Sequence, residues 1–113
     1  MARTKLPDPL ARRHLLEAAL EPAKAQALAD GYLALGREIE AIDFLVKAKA
    51  DAKLAALEAE AVERGDVFLL RRVAAAIGRE PGPERWRTLA DNASHWGRLR
   101  DAESAVRLAA VDV

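Results

Sequence analysis

The sequence lacks cysteine, and aromatic residues make up only 4% of its 113 residues. Without cysteine there are no disulfides and no thiolate metal ligands, which fits a reducing compartment. Apolar runs are short as well, and none approaches the ~20 residues that a membrane span needs. No continuous apolar segment follows the basic residues near the start of the chain. We therefore expect a cytoplasmic protein with neither a membrane span nor a secretory leader.

An excess of charge of one sign is also missing, since 18 Lys and Arg residues balance 18 Asp and Glu residues. Such a chain has no net field to draw it to nucleic acid or to an anionic membrane. The C-terminal half is nevertheless rich in arginine, namely Arg71, Arg72, Arg79, Arg85, Arg87, Arg98, Arg100 and Arg107. Because seven acidic residues accompany them from Asp66 onward, we expect intramolecular ion pairs. The alternative is a nucleic-acid-associated helical subunit that uses this half.

Alanine and leucine supply most of the apolar positions, and both lose little side-chain freedom in a helix. The β-branched and aromatic residues that favour strands are scarce. A chain of this length has room for one hydrophobic core. The composition therefore predicts a single all-α domain over residues 1–113.

Proline, glycine and aspartate divide the chain into seven predicted helices and no strand. An N-terminal helix over 9–20 precedes three helical hairpins over 22–49, 51–77 and 83–110. The boundary between the first and the second hairpin is open, because no Gly or Pro lies between Lys47 and Lys53. Either Asp51 caps a new helix there, or one long helix continues through this point.

The stop glycines Gly36, Gly65 and Gly97 are 29 and 32 residues apart, which is close to the period of helical repeat arrays. Two hairpins carry a further pattern of small and large residues. In the last hairpin it comprises Trp86, Leu89, Ala90, Gly97, Ala102 and Ala109. In the first it comprises Leu28, Ala29, Tyr32, Gly36, Ala41, Leu45 and Ala48.

These two hairpins resemble the tetratricopeptide repeat, and the resemblance extends over about residues 22–110. The middle hairpin departs from it, because Glu58 stands where the family has a small residue and Leu70 where it has alanine. The resemblance implies tandem antiparallel hairpins that form a short α-solenoid. A HEAT-like or coatomer-like α-solenoid is the alternative fold.

In the family that the chain resembles, the first helix of each hairpin lines a groove that takes an extended peptide or a helix. The groove positions that this resemblance implies are Gln26, Asp30 and Leu33 in the first hairpin, Ala55, Ala59 and Val62 in the second, and Arg87, Asp91, Ser94 and His95 in the third. The middle of such a groove is small and apolar, and its ends are polar. We expect a mainly apolar protein segment with a few charges as the ligand.

Catalytic and metal chemistry finds little support in the sequence. Asp91 and His95 are four residues apart and share a helix face, but a third ligand with suitable spacing is missing, which favours a surface hydrogen bond over a metal site. Ser94 is adjacent to His95, and adjacent helix residues point about 100° apart, so they do not form a nucleophile and its base. We expect no cofactor and no enzymatic activity.

Two further features concern partners. Trp86 fits a core position, whereas Trp96 lies next to Gly97 at a helix end and is a candidate contact residue. The last helix leaves Val106, Ala109 and Ala110 without an obvious cover, and Val111 and Val113 follow them. We expect these five residues to form an oligomer or partner surface. The sequence thus predicts a non-enzymatic adaptor or chaperone-like interaction protein.

Overall fold

The computed structural model describes residues 6–110, and within that range the chain forms seven α-helices and no strand. The helices are α1 (Pro9–Glu17), α2 (Pro22–Ala34), α3 (Glu38–Lys47), α4 (Asp51–Arg64), α5 (Val67–Ile77), α6 (Pro83–His95) and α7 (Leu99–Ala110). The prediction of an all-α fold is confirmed. Within the same range, no helix is long and apolar enough to cross a membrane.

The helices begin at the residues that their sequence signals indicate. The carboxylate of Asp8 accepts a hydrogen bond from the backbone N–H of Ala11 at 2.8 Å. Asp66 does the same for the N–H of Leu69 at 3.0 Å. Such caps satisfy backbone donors that have no partner inside the helix. A proline occupies the first turn of α1, α2 and α6, where its missing N–H costs no hydrogen bond.

Five helices end in the same closure, in which a residue two or three positions beyond the helix end donates its N–H to a carbonyl five residues back. The donor and acceptor pairs are Arg37 and Tyr32, Ala50 and Leu45, Asp66 and Ala61, Arg79 and Ala74, and Arg98 and Ala93, at 2.7–3.1 Å. A left-handed residue makes this closure possible. Four of the ends place a glycine there, and the fifth places Lys49 at φ 55°.

The left-handed conformation of Lys49 resolves the open boundary near Asp51. It separates α3 from α4, so the alternative of one continuous helix is wrong. The helix over 9–20 also ends earlier than predicted, at Glu17. Glu21 is extended because it precedes Pro22, and residues 18–21 therefore link α1 to α2.

The contacts of the chain form two compact units, one up to Leu54 and one from Ala55 onward, with the boundary inside α4. In the N-terminal unit, α2 packs against α3. Tyr32 and Phe44 are fully buried there and stack with ring centroids 5.7 Å apart. Arg12 of α1 donates from its guanidinium to the Glu40 carbonyl at 2.7 Å, which attaches α1 to α3.

In the C-terminal unit, α6 packs against α7, and α5 also contacts α7. The core of this unit contains Leu69, Leu70, Val73, Trp86 and Leu89, all buried.

The first helix of each of the three hairpins has the same pattern of buried residues, with spacings of three, one and three residues. They are Ala25, Leu28, Ala29 and Tyr32 in α2, Leu54, Leu57, Glu58 and Ala61 in α4, and Trp86, Leu89, Ala90 and Ala93 in α6.

Candidate interaction surface

Within the C-terminal unit, α4 and α6 lie side by side, and we call their outward faces the α4–α6 surface. Three contacts join the helices: Arg85 Nη1 to Glu58 Oε1 at 2.9 Å, Asn92 Nδ2 to the Val62 carbonyl at 2.8 Å, and Trp96 Nε1 to the Glu63 carbonyl at 3.1 Å. Residue numbers rise together on both helices through these three contacts. The two helices therefore run in the same direction.

The closest approach of α6 to the end of α4 is at Gly65, a buried residue in the left-handed region at φ 71°. A Cβ atom at this position would lie 2.4 Å from the Cα of Ala93 and 2.6 Å from its backbone nitrogen. Both the backbone conformation and the packing therefore demand glycine. Together with the small side chain of Ala93, Gly65 lets the end of α4 touch α6 directly.

The other end of the α4–α6 contact depends on a buried charge. Glu58 is only 3% exposed, and its carboxylate lies 2.9 Å from Arg85 and 3.8 Å from Arg79. A carboxylate leaves water at a large cost unless a cation compensates it. Glu58 stands where the repeat pattern has a small residue, and two arginines compensate its buried charge. Arg79 precedes α6 and Arg85 lies within it, 21 and 27 residues further along the chain.

The groove positions predicted on α4 and α6 are accessible. Ala55 and Ala59 are exposed and Val62 is half-buried on α4, while Arg87, Asp91, Ser94 and His95 are all exposed on α6. A shallow cleft of about 450 Å³ opens beside them, and it is lined by Val62, Gly82, Glu84, Arg85 and Thr88. The structure thus places these seven predicted residues on two neighbouring parallel helices, small side chains on one and polar side chains on the other.

The groove positions predicted on α2 belong to the N-terminal unit. Gln26 and Leu33 are half-buried, and Asp30 is exposed. Asp30 accepts hydrogen bonds from Gln26 Nε2 at 2.9 Å and from Lys53 Nζ at 3.0 Å. Partial burial raises the pKa of Asp30, but the bonds from Lys53 and Gln26 outweigh it, so the net shift of the pKa is downward. Asp30 is therefore held as a carboxylate with its cation in place.

A second cleft, of about 530 Å³, lies near the end of α4 and was not predicted. Its lining comprises Glu60, Glu63, Arg64, Trp96 and Arg98. Trp96 is 62% exposed, whereas Trp86 is 4% exposed, so Trp86 occupies the core position expected for it and Trp96 is accessible, while a contact role for Trp96 stays a prediction. The sequence signal for this cleft was the position of Trp96 at a helix end. Glu60, Glu63 and Arg64 lie on the last turns of α4, and they come next to Trp96 only through the packing of α6 on α4.

The candidate metal and catalytic positions Asp91, Ser94 and His95 are all exposed on α6. The ring of His95 contacts the edge of Trp96, with centroids 5.1 Å apart. Among residues 6–110, no three His, Cys, Asp or Glu side chains come together as metal ligands. Several of the C-terminal arginines form ion pairs inside their own unit: Arg79 and Arg85 with Glu58, and Arg98 with Asp66 and Asp101.

The predicted C-terminal surface is described in part. Val106 is 59% exposed, Ala110 is exposed and Ala109 is half-buried on α7. Val111 and Val113 lie outside the described residues. Leu99, which was not among the residues predicted for this surface, is 66% exposed on the same helix.

Comparisons of the chain with models of protein families, with curated proteins and with solved structures gave no significant match.

Proposed function

We propose that this chain is a non-enzymatic protein-interaction module of the tetratricopeptide type, which binds a peptide or helix of a partner protein across the α4–α6 surface. The parallel packing of α4 and α6 is the observation that carries the proposal. Successive first helices of an α-solenoid run in the same direction and present one continuous face. The repeated buried positions of α2, α4 and α6 support the same assignment.

The chemistry of the α4–α6 surface favours a mainly apolar ligand with a few charges. Ala55 and Ala59 are exposed and small, so a bound segment can approach the backbone of α4 closely. Arg87, Asp91 and His95 offer polar contacts on α6. A segment that is apolar where it meets α4 and charged where it meets α6 fits both sides, as recognition grooves of helical proteins commonly require. We assign the module to the cytoplasm as an adaptor, in keeping with the absence of cysteine.

The proposal is tested by selecting binding peptides from a displayed library on the wild-type chain and measuring their affinities for two variants. Ala59→Arg places a long cation in the centre of the surface and should weaken binding by about tenfold or more, equivalent to a loss of about 1.4 kcal/mol. The matched control is Ala75→Arg on α5, where alanine is also exposed but lies outside the surface. Equal affinities of the two variants would contradict the proposal.

Salt dependence separates this function from nucleic-acid binding through the arginine-rich half. Contacts between arginine and phosphate weaken steeply as salt is added, because bound counterions are released. Peptide binding to small apolar side chains has little such dependence. A selected peptide should therefore keep most of its affinity at elevated salt. Tight binding of single-stranded or duplex oligonucleotides that disappears with added salt would favour the other function.

A further inference from the structure

The cleft of about 530 Å³ at the end of α4 lies where two helices end together, and we call it the Trp96 cleft. Its lining comprises Glu60, Glu63 and Arg64 from α4, together with Trp96 and Arg98, which follow α6. Because α4 and α6 run in the same direction, both contribute their C-terminal ends to this cleft. The C-terminal end of a helix carries a partial negative charge. Two such ends side by side favour a cation in the cleft.

The indole of Trp96 forms a fixed platform in the Trp96 cleft. Its Nε1–H donates to the Glu63 carbonyl at 3.1 Å, and the ring of His95 stands at 77° to it with centroids 5.1 Å apart. Trp96 is nevertheless 62% exposed. Because its N–H is already used, a ligand meets the face of the ring, and the π-electrons of that face attract cations.

The charged side chains of the cleft leave a carboxylate for the ligand. Arg64 forms an ion pair with Glu60, and Arg98 lies 2.9 Å from Asp101. Glu63 is exposed, and its carboxylate has no ion-pair partner among residues 6–110. An anion would have to displace a carboxylate from one of the two arginines, whereas a cation meets Glu63 directly. The helix ends, the indole face and Glu63 therefore all favour the same kind of ligand.

We propose that the Trp96 cleft binds the guanidinium group of an arginine side chain that belongs to the bound partner segment. A guanidinium is planar, so it stacks on the indole face while its edge donates two parallel hydrogen bonds to the Glu63 carboxylate. The compact and strongly hydrated ammonium of lysine fits this pair of contacts less well. The inference rests on the proposed function, because it names one residue of the segment that crosses the α4–α6 surface.

The position of the cleft fixes where this arginine stands in the segment. Glu63 lies four residues after Ala59 on α4, which is about 6 Å along the helix axis. An extended segment advances about 3.3 Å per residue, and a helical one about 1.5 Å. The arginine should therefore follow the residue that contacts Ala59 by about two positions in an extended segment or about four in a helix.

An NMR titration of the full chain tests the cleft without any peptide. The probe is Nα-acetyl-arginine amide, and the matched neutral probe is Nα-acetyl-citrulline amide, which has nearly the same shape. The arginine probe should shift the indole N–H signal of Trp96 at millimolar concentration and leave that of the buried Trp86 in place. The citrulline probe should have little effect. A Trp96→Phe chain assigns the two signals.

Two variants with the same change of charge locate the contact. Glu63→Gln should weaken binding of the arginine probe by about threefold or more, because it removes the carboxylate partner. Glu103→Gln lies on α7, outside the cleft, and should leave the affinity unchanged. Equal shifts of Trp96 with the arginine and citrulline probes, or equal affinities of the two variants, would overturn the inference.

Peptides selected on the α4–α6 surface provide the second measurement. Replacing their arginine by citrulline should weaken binding by about fivefold. Peptides that bind and are blocked by Ala59→Arg, but that lose nothing when arginine becomes citrulline, would refute this inference and leave the proposed function standing. If no peptide binds, the proposed function fails, and the probe titration still decides whether the cleft takes a guanidinium.

Discussion

The contact between Gly65 and Ala93 gives the sharpest test of the fold, through the substitution Gly65→Ala. The new Cβ would lie 2.4 Å from the Cα of Ala93, a distance that atoms in proteins do not maintain. Backbone rather than a flexible side chain blocks the position, so the end of α4 and α6 must separate to relieve the overlap. The added methyl group thus acts on the packing of the two helices that form the proposed binding surface.

Two costs add at Gly65. Holding alanine in the left-handed region costs about 1 kcal/mol relative to glycine. Forcing an extra carbon into a packed site typically costs a further ~1–3 kcal/mol. We therefore expect Gly65→Ala to lower the free energy of unfolding by about 2–4 kcal/mol. Since small domains are stable by about 5–15 kcal/mol in total, this loss is large enough to measure with precision.

Gly97→Ala is the matched control for this test. Gly97 also ends its helix in the left-handed region, at φ 74°, but nothing lies within 4 Å of where its Cβ would stand. Gly97→Ala should therefore show the backbone cost alone, about 1 kcal/mol. Urea denaturation of both variants gives the difference. If the two losses agree within about 0.5 kcal/mol, the close approach of Gly65 to Ala93 does not exist in solution.

Three further predictions concern stability and ionisation. Lys49→Gly should stabilise the chain by about 0.5–1 kcal/mol in urea denaturation, because it relieves a left-handed lysine; a loss of stability would show that Lys49 is not left-handed. Arg85→Ala should lower the free energy of unfolding by about 3 kcal/mol, because it leaves the Glu58 carboxylate buried without its nearest cation. Glu58→Met removes the buried charge itself and should leave the free energy of unfolding nearly unchanged. Equal losses for the two variants in urea denaturation would contradict this account of the buried charge. Since the pKa of Asp30 is lower in the folded chain than in the unfolded chain, its carboxylate stabilises the fold above the unfolded pKa, and this contribution is lost as pH falls through the folded pKa. Lys53→Met should raise the pKa of Asp30 in an NMR titration, and an unchanged value would exclude the ion pair.

Local signals in the sequence predicted the helices well. A capping aspartate, a proline in the first turn or a glycine after the last turn acts within a few residues, so its effect does not depend on the rest of the fold. The turn at Lys49 shows the limit of such signals. A lysine has no preference for the left-handed region, and packing of the helices on either side overrides its local cost. Nothing in the residues around Asp51 carries that information.

The candidate surface was predictable where it depends on helical periodicity. The positions Ala55, Ala59, Arg87 and Asp91 follow from the buried pattern, because each is two steps from a buried residue and two steps turn about 200° around a helix. The cleft beside Trp96 was not predictable in this way. It requires the end of α4 and the end of α6 to lie together, which is a tertiary contact between distant parts of the sequence.

The contact of Glu58 with Arg85 also bears on how the proposed function is tested. α4 and α6 are held by charge at one end and by the direct touch of Gly65 and Ala93 at the other. Added salt weakens ion pairs that water reaches, and water reaches this pair only from the side of Arg85, which is 43% exposed, because Glu58 is only 3% exposed. Close packing at Gly65 does not depend on salt at all. The spacing of the two helices should therefore stay the same over the salt range that distinguishes peptide binding from nucleic-acid binding. A loss of affinity in that range would then reflect the charges of the ligand and not a change in the shape of the α4–α6 surface.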